Sequence, residues 1–133
     1  MPTVYATVTQ LDHSASDAEA RGHHLTVDRP EPKGGQDKGP MGGEALLMGL
    51  GGCFMSNLLA AAIAREIDLR DARAEIEGDL ADAPPRYTAV RMRVSANCEP
   101  ATELAKLVLI AERSCIVANT LRNAVELTVE CVE

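Results

Sequence analysis

A stretch of 20 residues without a charged side chain, residues 45–64, constrains the fold of this 133-residue chain more than any other feature. Its length would be sufficient to cross a bilayer, but its glycines together with Ser56 and Asn57 dilute its hydrophobicity. We therefore expect a helix over residues 41–67 that is buried on nearly every side in a soluble domain, with no membrane partner. A chain this short has little surface with which to cover such a helix, so we also expect a homodimer that buries the remainder.

Alternation of apolar and polar residues on both sides of this helix predicts β-strands. Strands are predicted over residues 3–10, 23–29, 72–80 and 87–97, with a last strand through Val125, Leu127, Val129 and Cys131, and a polar loop over residues 14–21. Pro100 opens a second predicted helix, whose apolar stripe ends at Cys115. The order β-β-α-β-β-α-β predicts a single α+β domain over residues 1–133, with strands packed against two central helices.

The charge and the first residues of the chain restrict the class of protein further. A formal net charge of −7 and the lack of a basic stripe argue against a nucleic-acid partner. The first ten residues, MPTVYATVTQ, alternate like a strand and have no signal-peptide pattern, so we expect a cytoplasmic protein with reduced thiols. The four cysteines form no CxxC pair, and the three histidines are dispersed, so we expect neither a metal site nor a cofactor.

Two of the cysteines, Cys53 and Cys115, lie in predicted helices and are 62 residues apart in the chain. Free cysteine often fills space in a core, and this structural interpretation stays open for both. If the fold brings the two thiols together, one could attack an oxidant as a thiolate and the other could resolve the product. We interpret Cys98 and Cys131, which lie in predicted strands or at their ends, as structural.

A reactive thiol in an apolar helix needs help to ionise. A nearby arginine would supply it, because arginine stays charged when buried. The N-terminal part of the chain offers Arg21, which we take as the catalytic candidate, and Arg29, which stays open as the alternative. Glu44, in the first turn of the long helix, could hold such an arginine through a bidentate pair, although it lies nine residues before Cys53.

Two segments of the chain combine into a recognisable pattern. The first is HHLTVDRPEPKGGQDKGPMGGEALLMGLGGCF, residues 23–54, in which an aspartate ends a strand and is followed by a Gly-rich loop, a GP turn, a glutamate, leucines and a cysteine. The second is SCIVANTLRNAVELTV, residues 114–129, in which a cysteine precedes a valine, a small polar residue and a closing strand. Together the two segments resemble the OsmC/Ohr family of thiol-dependent hydroperoxide reductases, and the resemblance covers essentially the whole chain in order.

By this resemblance Cys53 is the peroxidatic thiol, Cys115 is the resolving thiol, and Glu44 positions an activating arginine. The resemblance also implies an intertwined homodimer with the thiols near its interface. The implied reaction takes Cys53 to a sulfenic acid and then to a disulfide with Cys115, which an external dithiol reduces, in defence against oxidative stress.

The apolar residues Leu50, Phe54 and Met55 would favour organic hydroperoxides over hydrogen peroxide as substrates. Two other interpretations of the sequence stay open. One is a non-enzymatic dimer of the same fold that binds a small apolar ligand. The other is a redox sensor that forms the disulfide without turnover.

Overall fold

The computed structural model describes residues 2–123 and 125–132, which form two antiparallel sheets and three α-helices. Backbone contacts divide the chain into two compact units, Met1–Leu46 and Leu47–Glu133. The α+β class expected from the sequence is confirmed, with differences in the order of elements that are described below. The single domain over residues 1–133 stays a prediction.

The first unit contains a three-stranded sheet in the order β1 (Thr7–Gln10), β2 (Ser16–Ala20) and β3 (His23–Val27). The prediction of a loop over residues 14–21 is therefore wrong, because β2 is the central strand. Its sequence, SDAEA, offers only the small side chains of Ala18 and Ala20 as an apolar face, but it pairs with a strand on each side. Backbone pairing along both edges thus replaces the hydrophobic pattern that would have predicted it.

A Gly-rich loop follows β3 and is organised around one buried carboxylate. Asp28 is 2% exposed, and its carboxylate accepts hydrogen bonds from the backbone N–H groups of Arg29 at 2.7 Å, Gln36 at 3.1 Å and Lys38 at 3.3 Å. Gly35 passes so close to the backbone that an added Cβ would lie 1.9 Å from the carbonyl oxygen of Arg29. The loop therefore folds back on itself before the first helix begins.

The uncharged stretch forms helix α1 (Gly42–Ala64), as predicted. One face of the helix is buried, through Leu50, Phe54 and Leu58. The expectation of burial on nearly every side does not hold in the single chain, because only 33% of its most apolar 18-residue window is buried and Ile63 is 78% exposed. By length and composition alone, this helix could cross a membrane.

The second unit contains a long hairpin, β4 (Asp68–Ala81) and β5 (Arg86–Glu99), followed by α2 (Leu104–Ser114) and α3 (Ile116–Arg122). Alternation gives the hairpin two different faces. Partly buried side chains such as Ile76 and Met92 pack on the core. The other face carries ion pairs, of which Arg91 with Asp79, at 2.8 Å, is one.

The last predicted strand is not formed. Residues 125–132 have no regular secondary structure, although Leu127 and Val129 still alternate with polar residues and are 83% and 90% exposed. A strand requires a neighbouring edge with which to pair, and no edge pairs with this segment among the described residues of the single chain. The observed order is thus β-β-β-α-β-β-α-α, with the extra strand β2 and a divided second helix.

Candidate functional site

The two cysteines singled out by the sequence lie together in the second unit. Cys53 lies in the middle of α1, on a partly exposed position beside the buried Phe54. Cys115 lies between α2 and α3 and is fully buried. Both sulfurs are free thiols, and they are close enough for each to affect the pKa of the other.

The backbone at Cys115 differs from the sequence prediction, which continued one helix through it. Cys115 is extended, with φ −76° and ψ 111°, and it ends α2 and begins α3. Its Sγ accepts the backbone N–H of Ala118 at 3.4 Å, so the cysteine is the N-cap of α3. This bend turns the first N–H groups of α3, from Ile116 and Val117, toward the sulfur of Cys53.

The environment separates the two thiols by acidity. Burial opposes ionisation of Cys53, but the backbone N–H of Val117, the thiol of Cys115 and the N–H of Ile116 together outweigh it and lower its pKa. Burial raises the pKa of Cys115, and both its hydrogen bond to Cys53 and the charge of that thiolate raise it further. Partly exposed Cys53 is therefore the thiol that ionises more readily, and buried Cys115 is the thiol that keeps its proton.

An amide side chain ties the two cysteine-bearing segments together. The Nδ2 of Asn57 donates to the carbonyl oxygen of Cys53 at 3.1 Å, one turn back along α1. It also donates to the carbonyl oxygen of Ser114, the residue before Cys115, at 3.3 Å. Sequence reasoning missed this role, for which the one available signal is a polar residue four positions after Cys53 in an uncharged helix. Its second partner, 57 residues away, carried no local signal.

Glu44 lies in the first turn of α1, as predicted, and its Oε1 accepts the backbone N–H of Met41 at 2.8 Å. It acts there as a cap for the start of the helix. In the sequence, Glu44 lies nine positions before Cys53. Glu44 makes no ion pair within residues 2–123 and 125–132.

The two candidate arginines belong to the first unit. Arg21 occupies the tight β2–β3 turn with a φ of 52°, and it is exposed. Arg29 lines a groove of about 460 Å³ together with Lys33 and the first residues of α1. Neither arginine makes an ion pair with any residue that the structure describes.

The other two cysteines lie apart from this pair. Cys98 is buried near the end of β5, and its thiol donates to the carbonyl oxygen of Pro100 at 3.4 Å, which fits the structural interpretation. Cys131 is exposed, in the segment without regular structure. Among the described residues, no group of three or more His, Cys, Asp or Glu side chains could hold a metal ion.

Solved structures share this fold. An OsmC-like protein from Mycoplasma pneumoniae matches with a TM-score of 0.79 at 20% identity, over 91% of this chain and 88% of its own. An organic hydroperoxide resistance protein from Legionella pneumophila matches with a TM-score of 0.65 at 21% identity, over 92% and 90%. An OsmC-like protein of unknown function from Vibrio cholerae matches with a TM-score of 0.69 at 17% identity, over 90% and 94%.

Sequence comparison agrees with the structural comparison. No curated protein matches the chain. The profile of the OsmC-like proteins, however, matches residues 35–130, which include Glu44, both paired cysteines and Asn57. The match covers well over half of the chain and confirms the resemblance noted in the sequence. The chain therefore belongs to the OsmC-like protein family.

Proposed function

We propose that this chain is a thiol-dependent peroxidase that reduces organic hydroperoxides, and hydrogen peroxide less well, in defence against oxidative stress. The observation that carries the proposal is the asymmetry of the Cys53 and Cys115 pair. The partly exposed thiol has the lowered pKa, and the buried thiol beside it has the raised pKa. The name of the Legionella pneumophila protein with the same fold, organic hydroperoxide resistance protein, supports the substrate class.

In the proposed reaction, the Cys53 thiolate attacks the distal oxygen of ROOH. The O–O bond breaks, Cys53 becomes a sulfenic acid, and the leaving alkoxide takes a proton to become ROH. The sulfur of Cys115 then attacks the sulfenic sulfur, and its proton leaves with the hydroxyl group as water. An external dithiol attacks the resulting Cys53–Cys115 disulfide and is itself oxidised to a disulfide, which returns both thiols.

The substrate preference depends on the apolar surface near Cys53. Leu50 and Phe54, which the sequence suggested as pocket walls, are 6% and 1% exposed and belong to the core. Met55, which is partly buried, is the remaining candidate wall of that set. A substrate with an apolar R group would gain from contact with such a surface, whereas hydrogen peroxide would not.

We retain Arg21 as the proposed activating arginine, with Arg29 as the alternative and Glu44 as the residue that positions either one. An arginine near the sulfur would lower the pKa of Cys53 further than the N–H groups of α3 do. Replacing each arginine with glutamine would identify the active one by a loss of oxidation rate. If both variants are oxidised at the wild-type rate, activation is assigned to the backbone N–H groups alone.

We also propose that the chain is an intertwined homodimer. Its support is apolar surface that a single chain leaves open. Met48 and Ile63 on α1 are 55% and 78% exposed, and Leu127 in the C-terminal segment is 83% exposed. Covering these side chains would remove apolar area from water, and a partner edge would let the alternating segment pair as a strand.

Steady-state turnover with dithiothreitol as the reductant tests the proposed function. Cumene hydroperoxide should be consumed catalytically and several times faster than hydrogen peroxide. Equal rates with both oxidants would reject the organic preference. Consumption no faster than in a Cys53→Ser control would reject the peroxidase, and would leave the apolar-ligand dimer or the sensor as the function.

A further inference from the structure

We propose that Asn57 is a positioning residue for the thiol pair: its side-chain amide holds the bend between α2 and α3 against the turn of α1 that carries Cys53. This inference deepens the proposed function and rests on it for the redox steps. The observation behind it is geometric. One Nδ2 atom donates to the carbonyl of Cys53 at 3.1 Å and to the carbonyl of Ser114 at 3.3 Å.

The carbonyl of Ser114 needs such a partner. It is one of the last four carbonyls of α2, which have no donor inside their own helix. Ala118, which would donate to it if the helix continued, donates instead to the sulfur of Cys115. Asn57 therefore supplies a hydrogen bond that the bend at Cys115 has removed.

The position of Ser114 determines which thiol and which backbone N–H groups lie near Cys53. Cys115 follows it directly, and the N–H groups of Ile116 and Val117 come next in the chain. These are the groups that face the sulfur of Cys53. Loss of the tie from Asn57 would let the bend move away from α1. The thiolate would then lose its donors and the resolving thiol would lose its alignment, since both lie on the same short segment.

Other amides and hydroxyls nearby provide matched controls. Asn119 Nδ2 donates to the carbonyl of Arg113 at 3.1 Å, so it also satisfies the end of α2, but it does not reach α1. Ser56 bonds within α1 only, to the carbonyl of Gly52 at 3.0 Å. The substitutions Asn119→Ala and Ser56→Ala thus remove comparable hydrogen bonds without removing the tie.

Three substitutions at position 57 distinguish loss of the hydrogen bond to Ser114 from other effects of replacing Asn57. Asn57→Ala removes both hydrogen bonds. In Asn57→Ser, the hydroxyl can still bond to the carbonyl of Cys53 one turn back, but it is too short to reach Ser114. Asn57→Gln restores an amide with one more methylene. A positioning role predicts that alanine and serine behave alike and that glutamine recovers at least part of the wild-type behaviour.

The experiment measures the pH dependence of Cys53 alkylation by iodoacetamide in the reduced full-length chain, with the site identified by peptide mapping. The midpoint should move up by about half a pH unit in Asn57→Ala and Asn57→Ser, and should stay unchanged in the two control variants. Disulfide formation after one equivalent of cumene hydroperoxide should slow by about fivefold in the same two variants. Asn57→Gln should return both values toward wild type.

A melting temperature that falls in Asn57→Ala while the alkylation midpoint stays at the wild-type value would overturn the proposal, because the residue would then be merely structural. An equal midpoint shift in Asn119→Ala would overturn it as well. If the wild-type chain does not react with the hydroperoxide, the proposed function fails, but the alkylation profile still decides the role of Asn57.

Discussion

The thiols of Cys53 and Cys115 interact with each other and have opposite pKa shifts, lowered for Cys53 and raised for Cys115. Cys115 is fully buried and lies at a bend in the backbone, whereas Cys53 lies at a partly exposed position of α1. In the proposed reaction, this relationship suits the two residues to different steps. A reactive thiolate must be accessible to its substrate. A resolving thiol must lie beside that thiolate and stay protonated.

Substitution of each cysteine should have a different effect. Cys53→Ser should slow the reaction with cumene hydroperoxide by more than about 100-fold, because the nucleophile is lost. Cys115→Ser should keep the first step within about tenfold but accumulate a sulfenic acid, which dimedone would label at Cys53. Mass spectrometry checks both results, with Cys131→Ser as a control at an exposed thiol. Dimedone labelling at Cys115 in the Cys53→Ser variant would reverse the assignment.

The rate of hydroperoxide reduction in a single turnover should rise with pH through the pKa of Cys53, since the thiolate is the reactive form. This pKa is lowered, so the midpoint should lie below that of an ordinary cysteine. Cys115→Ala removes a donor to the thiolate and should shift the midpoint upward by about half a pH unit. Stopped-flow rates at several pH values provide the measurement. A midpoint at or above that of free cysteine would contradict the environment described for Cys53.

Asp28 should stabilise the first unit in a pH-dependent manner. Burial opposes its ionisation, but hydrogen bonds from the N–H groups of Arg29 and Lys38 and other donors hold its pKa below the ordinary value. A lowered folded pKa gives stability that is present at neutral pH and is lost as pH falls from about 4 through the folded value. Asp28→Asn should therefore lower the melting temperature by several degrees at pH 7.

The difference between Asp28→Asn and wild type should shrink at pH 3, which is below the ordinary carboxyl pKa of about 4, because the unfolded chain then binds a proton that the folded chain does not hold as readily. Asp37→Asn is the matched control, because Asp37 lies in the same loop, is exposed and has a φ of 55°, which asparagine tolerates. Calorimetry at the two pH values is the measurement. A loss of melting temperature that is the same at pH 7 and pH 3 would show that the charge of Asp28 is not its source.

The C-terminal segment should contribute to the dimer. Leu127→Asp places a charge on the apolar side of the alternation and should weaken dimerisation at least about tenfold, because that side chain would be buried against the partner. Thr128→Asp, on the opposite side of the alternation, should leave the dimer intact. Light scattering across a micromolar concentration series measures both. A monomeric wild-type chain at these concentrations would contradict the proposed dimer.

The elements predicted correctly from the sequence are those whose pattern of apolar residues reflects which side chains are buried. The hairpin β4–β5 was recognised because Ile76 and Met92 alternate with charged residues. Helix α1 was recognised because its uncharged stretch is too long for a single strand. The strand β2 was missed because pairing on both edges, and not an apolar face, maintains it. The segment through Val129 has the pattern of a strand but no edge with which to pair among the described residues.

The candidate site was also predicted only in part. Cys53 and Cys115 were found because thiols are chemically distinctive, and the structure brings them together. The bend at Cys115 was not found, since helical spacing runs through it, whereas the structure shows an extended backbone there and a bond from Ala118 to its sulfur. The tie from Asn57 to Ser114 joins residues far apart in the chain, which local pattern cannot reveal.

The most direct test of the central claim is a single turnover of the reduced chain with one equivalent of cumene hydroperoxide, followed by thiol counting and peptide mapping. The proposed chemistry predicts rapid loss of two thiols and a Cys53–Cys115 disulfide as the main product. Retention of all four thiols, or oxidation scattered over Cys98 and Cys131, would contradict it.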